Sequence, residues 1–405
     1  MQQNLQPIVQ DLVLIGGGHS HAIVLRLFGM KPIPGVRLTL ITTASDTPYS
    51  GMLPGHIAGF YSHDECHIDL RHLANFAQAQ LYIDRVVGLD LKNRQVICAN
   101  RPTVTFDVLS IDIGSTPATI SVSGAAEYAI PAKPVPQLLA QWQQLLVNVA
   151  ANPQTPISIG IVGGGAGGVE LALSMQARLK RILQTEDLAI HLFGRHRELM
   201  PDHYQSVQHQ VKRILTQRGI RLYLGETVCQ IEPPNLISNS FLLAERREQN
   251  RLKVKCESGL IVECNKVFWV TQASAPQWLK ATGLRTNEQG FILVDDTLQS
   301  MTHPYIFAAG DIATMVNHSR PKAGVFAVRQ GKPLFENLQR FLSGQSLKPY
   351  KPQKEYLSLI GTGDGRAIAT KGTFTLSPHK LLWCWKDWID RRFMENFSRK
   401  LGTGE

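Results

Sequence analysis

The chain carries one short construction twice: an apolar run of strand type, a turn rich in glycine, then apolar residues at helical spacing. Asp11-Leu-Val-Leu-Ile15 runs into Gly16-Gly-Gly-His-Ser-His21, and Ile157-Ser-Ile-Gly-Ile-Val162 runs into Gly163-Gly-Gly-Ala-Gly-Gly168. Ile23, Val24, Leu27 and Phe28 follow the first turn at helical spacing, as Val169, Leu171, Ala172, Met175 and Leu179 follow the second. Each unit closes on another β-type run, Val36-Arg-Leu-Thr-Leu-Ile41 or Leu188-Ala-Ile-His-Leu-Phe193. Two βαβ units in one chain predict an α/β fold with two Rossmann-like dinucleotide-binding domains.

The second turn has the full glycine fingerprint. Gly163 allows the tight bend, Gly165 lets backbone approach a pyrophosphate, and Gly168 lets helix and strand pack closely. Unpaired N–H groups at the helix start attract the phosphates, which adds Ala166 and Glu170 to the expected contacts. The position for an acid on the ribose 2′-hydroxyl holds Gly194, followed by Arg195, His196 and Arg197. Arg195 and Arg197 attract a 2′-phosphate, so NADPH is expected over NADH; the alternative is a solvated basic turn. The first turn keeps Gly16 and Gly18 but has His21 in place of the third glycine, with His19 and Ser20 inside the loop. Its strand ends in Thr42, Thr43 and Ser45 rather than an acid.

Between and after these units, Phe106 to Ser115 reads as a strand ending in a Gly-Ser turn, and Ile130 to Pro136 leads into a helix through Trp142. Asn152 to Pro156 reads as a linker, Lys266 to Val270 as a strand, and Ser300 to Asp311 as a strand feeding a Gly-Asp turn. Asp311 there can accept a hydrogen bond from a ligand hydroxyl or cap a helix. A hairpin-like stretch from Tyr356 to Phe374 precedes an aromatic basic helix. The expected limits are 1–130 and 291–345 for the first domain, 131–290 for the second, and 346–405 for a C-terminal hairpin and amphipathic helix.

The 405 residues carry 42 Lys+Arg against 32 Asp+Glu, a net +10 that favours anionic partners such as dinucleotides or acidic lipid; nucleic acid is not expected. Six scattered cysteines without a C-x-x-C pair exclude a zinc ribbon and a disulfide framework, and point to a reducing, cytoplasmic setting. Cys66 is flanked by acids, which makes it a poor nucleophile. His63 and His67 stand four apart without an evident third ligand, so they read as a surface pair and no metal is expected. Neither a secretory signal nor a membrane span is visible. In the tail, Leu382, Trp385, Ile389, Phe393 and Phe397 form an apolar stripe opposite Lys386, Asp387, Asp390, Arg391, Arg392 and Glu395. Residues 379–400 are expected to lie on a membrane surface, on the chain's own first domain, or on a second copy in a homodimer.

Two glycine turns followed late by Ala309-Gly310-Asp311 resemble the two-dinucleotide flavoprotein superfamily, the pyridine nucleotide-disulfide oxidoreductase fold, which includes type II NADH dehydrogenases and sulfide:quinone reductases. More narrowly, GGGHSHA at 16–22, TPYSGMLPG at 47–55, DIGSTP at 112–117 and KDWIDRRFMENF at 386–397 resemble the flavoprotein module found fused ahead of selenide, water dikinase. The resemblance implies FAD on the first turn and NADPH or NADH on the second. It implies FAD contacts from Gly16, Gly18, His19, Ser20, Thr43, Val86, Gly114, Asp311 and Ala323, with Gly51 and Met52 in a loop over the isoalloxazine. Lys322 and Lys133 are the implied catalytic cations beside the flavin. The paired glutamines of the quinone site in type II dehydrogenases are replaced by Val325 and Arg329. The expected activity is FAD-dependent oxidation of NAD(P)H with electrons passed to a small-molecule acceptor, a quinone first. The alternatives are a soluble reductase supplying a selenium or sulfur species to a selenide, water dikinase partner, and a slowly turning redox-sensing flavoprotein.

Overall fold

The computed structural model describes residues 7–117, 122–233, 251–271 and 273–398. Both predicted βαβ units are present. Strand Gln10–Ile15, helix His19–Met30 and strand Val36–Thr42 form the first; strand Ile157–Val162, helix Ala166–Leu179 and strand Leu188–Gly194 form the second. In each, the leading strand is the centre of a five-stranded sheet. The first runs Ile306–Ala308, Val108–Ile111, Gln10–Ile15, Val36–Thr42, Gln80–Ile83, and every neighbour pairs in parallel. The second runs Ile130–Pro131, Lys266–Trp269, Ile157–Val162, Leu188–Gly194, Arg221–Leu224, again all parallel. Parallel strands are covered on both faces, which is why Ile157–Val162 is buried throughout, Ser158 included. Each unit also carries a three-stranded antiparallel ribbon: Val86–Asp90, Gln95–Cys98 and Val104–Thr105 in the first, Val228–Glu232, Leu252–Cys256 and Ile261–Cys264 in the second. The duplication therefore reaches beyond the glycine turns.

The cores set the domain limits. Leu279, Leu284 and Phe291 belong to the first core, while Ala125, Ala129 and Ile130 pack with the second unit. The chain crosses over at Thr116–Pro117 and returns at Ala273–Ser274, two segments that pair antiparallel. Divided by core, the crossovers fall at these segments rather than at 130 and 290.

The C-terminal region departs from expectation in two ways. The hairpin is a three-stranded meander, Ser358–Gly361, Ala367–Lys371 and Phe374–His379, so the expected turn end at Phe374 starts another strand. Helix Lys380–Glu395 follows; Phe393 of the expected apolar stripe packs on the first core, but two residues of the expected polar face are buried and Trp385 of the stripe is not. Lys386 and Asp390 are 6% and 5% exposed, whereas Leu381, Trp385 and Trp388 are 70%, 43% and 55% exposed. The cause lies in what the helix covers. It packs on backbone at Gly51, Gly55 and Gly361, where Trp383 fills the space beside the last two. The Gly51 carbonyl there needs a donor, and Lys386 Nζ supplies it at 2.5 Å while pairing with Asp390. Arg399 and Lys400, the basic end of the expected segment 379–400, lie outside the described residues.

Removing one partner of a buried pair strands the other charge. Lys386→Met is expected to lower stability by about 3–5 kcal/mol in denaturant unfolding. Removing the exposed Arg391–Glu65 pair with Arg391→Ala is expected to cost under about 1 kcal/mol. Equal losses in the two variants would contradict the buried-pair assignment.

Candidate active site

The second glycine turn is built as its sequence implies. A Cβ on Gly168 would collide with the Gly163 carbonyl oxygen, so only glycine lets this helix start against its strand. A Cβ on Gly165 would meet open space, and Gly165 caps helix Ala166–Leu179 with no side-chain hydrogen bond. The first-turn N–H groups of the helix are thus unspent and face an opening, the arrangement that takes a pyrophosphate. Arg195 and Arg197 are exposed just past strand Leu188–Gly194, whose terminal Gly194 lies against Gly164 of the turn.

The first turn is built differently. His21, standing where the third glycine was expected, is fully buried: its Nδ1 is 2.7 Å from the Gly16 carbonyl and its Nε2 is 2.8 Å from the Ser110 hydroxyl. Burial pushes this imidazole down to about 4, so it is neutral and ties helix to strand. Ser20 is not a ligand contact as expected: it is fully buried, with its hydroxyl donating to Ala327 O at 2.8 Å. The N–H groups of Ser20 and His21 both donate to the carboxylate of Asp112. Asp112 fills the space that a Cβ on Gly18 would need. Gly16 N and Gly18 N donate to Ile41 O and Asp112 O, so the turn offers an anion the N–H groups of Gly17 and His19. Burial pushes Asp112 up to about 7 against those two N–H donors, with Asp311 adding to the rise.

The late Gly-Asp turn closes this cleft. Gly310 N donates to Gln330 Oε1 at 2.7 Å, and Asp311 accepts from Lys133 Nζ at 2.6 Å and Ser115 Oγ at 3.2 Å. Burial alone would raise the Asp311 carboxyl; Lys133 and Ser115 outweigh it and hold the group below its ordinary range. Lys133 belongs to the second unit's side of the crossover, so this pair joins the two halves at the cleft. Lys322 lines the same cleft, donates to Ala313 O and to Thr314 Oγ1 at 2.9 Å, and stands over the Phe291 ring at 4.1 Å. Burial pushes its ammonium down to about 8, with Asp311 resisting. His19 approaches from the first turn: its Nε2 accepts from Ser50 N at 3.3 Å, and burial pushes it down to about 4. Gly114, with φ +68° and open space at its Cβ position, and Ala323, the cap of helix Gly324–Leu342, complete this side.

Other expected contacts separate. Met52 is fully buried with Tyr61 and Cys66, so its side chain is core and does not reach the cleft. Val86 is 8% exposed and packs in the first core; only its backbone is near the strand end, where Asp84 N donates to Thr42 O and Thr43 is exposed. Gly51 is at the underside of its loop, against Tyr49 and Asp390. Glu170 accepts from Gly361 N at 2.8 Å at the seam between the second unit and the C-terminal meander. Burial pushes this carboxyl up to about 7, with Lys386 and the Gly361 N–H opposing. Cys66 is pushed up to about 12 by burial first and neighbouring acids second, while Cys229 is exposed. Asp112, Gln330 and Lys386 were missed as organisers of the site; Asp112 and Lys386 sat inside quoted motifs, but nothing in their spacing announced what they would touch.

The sequence model described as pyridine nucleotide-disulphide oxidoreductase matches residues 10–331. Ferroptosis suppressor protein 1 of Homo sapiens is 28% identical over 288 residues, 69% of this chain and 69% of that protein. Demethylphylloquinone reductase NdbB of Synechocystis sp. is 25% identical over 306 residues, 73% and 70% of the two chains. Among solved structures, NDH2 from Plasmodium falciparum in complex with NADH shares the fold with a TM-score of 0.77, covering 98% of this chain and 99% of that one at 14% identity.

A carboxyl whose folded pKa is raised stabilises the fold below its unfolded pKa and loses that contribution as pH rises through the folded value. For Asp112 the window runs from the ordinary aspartate range, about 4, to about 7. Wild-type stability is expected to fall across it relative to Asp112→Asn, measured by thermal unfolding at a series of pH values. Parallel curves for the two proteins would mean that Asp112 is ionised throughout.

Proposed function

The chain belongs to the pyridine nucleotide-disulphide oxidoreductase family, and from that premise we propose that it is an FAD-dependent NAD(P)H oxidoreductase that passes electrons to a quinone. The carrying observation is the pair of glycine turns at the carboxyl ends of twin parallel sheets, tied across the cleft by Lys133 and Asp311. FAD, when bound, supplies hydride acceptance and onward transfer of two electrons. The chain supplies position and charge. Gly17 and His19 would hold the FAD pyrophosphate, with Gly16 and Gly18 shaping the turn; Asp311 would hold its ribityl hydroxyls, and Gly163, Gly165 and Ala166 the NAD(P)H pyrophosphate. Lys322 remains a cation at neutral pH beside Asp311 and can balance negative charge at the cleft. Quinone reduction takes two electrons and two protons; hydride brings one proton, and the other must come from water or a titrating group of the chain. None of the six cysteines lines the cleft beside Asp311 and Lys322, and the Cys66 thiol is pushed up to about 12 by burial, so the proposed route uses no dithiol. The named activity of one relative, a demethylphylloquinone reductase, supports a quinone over the selenium or sulfur alternative.

We also propose contact with a membrane surface. Among the described residues no helix is long and apolar enough to cross a bilayer. Phe374, Leu376, Leu381, Trp385 and Trp388 instead present outward apolar side chains on the last strand and helix. Cutting the chain before this helix would remove the buried Lys386–Asp390 pair, so substitution is the cleaner test.

Anaerobic NADPH is expected to bleach the bound flavin, and a soluble quinone to restore its colour; restoration by selenite or polysulfide but not quinone would overturn the acceptor. Arg195→Glu is expected to weaken NADPH relative to NADH by roughly ten- to a hundredfold, the range of one charge-assisted hydrogen bond, and an unchanged ratio would remove the 2′-phosphate role. Trp385→Ser/Trp388→Ser is expected to abolish co-sedimentation with anionic liposomes while leaving flavin reduction intact.

A further inference from the structure

His63 and His67 read in the sequence as a pair without a third ligand; the fold supplies it. Strand Asp46–Pro48 pairs antiparallel with strand His67–Asp69, and this register brings Asp46 to the two histidines across the ribbon. One ligand atom from each of Asp46, His63 and His67 lies within 4.8 Å of the others. We propose that these three side chains bind a zinc ion, with water in the remaining position.

The orientation of each histidine suits this ligand set. His67 is 8% exposed, and its Nδ1 is 2.9 Å from the His63 carbonyl oxygen. A carbonyl can only accept, so Nδ1 carries the proton and Nε2 is left as the ligand atom. Backbone carbonyls orient metal-bound imidazoles in this way. His63 has its Nδ1 3.5 Å from Asp64 and its Nε2 4.0 Å from Asp46 Oδ2, so its ligand atom also faces the site. Among the described residues neither Nε2 has a hydrogen-bond partner.

The two rings stack at 3.7 Å with planes 10° apart. Tetrahedral zinc with bonds of about 2.0–2.1 Å sets its ligand atoms roughly 3.4 Å apart, so the site must tighten and one ring must turn. His63 can do so, because its side chain is 53% exposed, while His67 stays fixed. Two imidazoles and one carboxylate suit zinc by donor type, and the exposed side leaves room for water. His56 packs edge-on to His67 but points its Nδ1 at Tyr61 O, and Glu65 is turned to Arg391, so neither completes the set.

Zinc here would brace the redox site from behind. The ribbon runs directly into the loop at Tyr49, whose N–H donates to Cys66 O at 2.8 Å between the two histidines. That loop packs Ser50 against Gly324 at the start of the helix beside the cleft. An ion joining Asp46 to His63 and His67 therefore pins both ends of the loop's support.

The test uses the full-length, flavin-loaded protein, stripped with a chelator and titrated with zinc chloride against a chromophoric zinc indicator. One zinc per chain is expected. His63→Ala and Asp46→Asn, both at partly exposed positions, are each expected to weaken binding at least tenfold. Zinc is also expected to raise the thermal midpoint of the wild type but of neither variant. Failure of the wild type to bind one equivalent, or unchanged affinity in both variants, would overturn the proposal. The indicator readout is independent of turnover, so a wrong acceptor assignment leaves it unaffected.

Discussion

Everything in this protein is arranged around helix starts whose N–H groups have no partner within the helix. Such a start is costly to bury and attractive to an anion. At Gly163–Gly168 the difficulty is left open for a phosphate, and Gly168 permits the close approach of helix to strand that aims those groups outward. At Gly16–His21 the chain answers part of it from within, by turning Asp112 into the helix end. Two copies of one architecture thus meet the same constraint in different ways, and the two dinucleotide sites are not equivalent in charge.

That difference spreads through the cleft by proximity. Asp112 and Asp311 lie close enough for each to oppose ionisation of the other, and Lys133 settles the matter by neutralising Asp311. With Asp311 held ionised by Lys133, Lys322 can remain charged although burial works against it. The Lys133–Asp311 contact has a mechanical side as well, because its partners come from opposite sides of the chain crossover. Charge balance and the seating of the two halves therefore depend on the same bond.

The C-terminal helix shows where amphipathic counting misleads. Five aromatic and aliphatic residues at helical spacing suggested one apolar face opposite a polar one, yet Lys386 and Asp390 are buried, and Trp385, one of the five, faces out with Trp388. The count assumes an apolar surface underneath. What lies underneath includes backbone at Gly51, Gly55 and Gly361, and the Gly51 carbonyl is satisfied by the Lys386 ammonium. Met52 illustrates the converse, since a residue assigned to the cleft from its motif was claimed by the core.

Local pattern was sufficient for the twin parallel sheets, the order of strands and helices around each turn, and the close helix–strand packing at Gly168, because strand periodicity and glycine geometry act over a few residues. The tertiary structure decided what depends on distant segments meeting: Asp112 beneath the first turn, His21 bonded to Ser110, Lys386 beneath the loop at Gly51, and Asp46 beside His63 and His67. Each of these joins positions far apart in sequence, or across a strand register, through contacts a few ångströms long. No spacing along the chain encodes such a meeting.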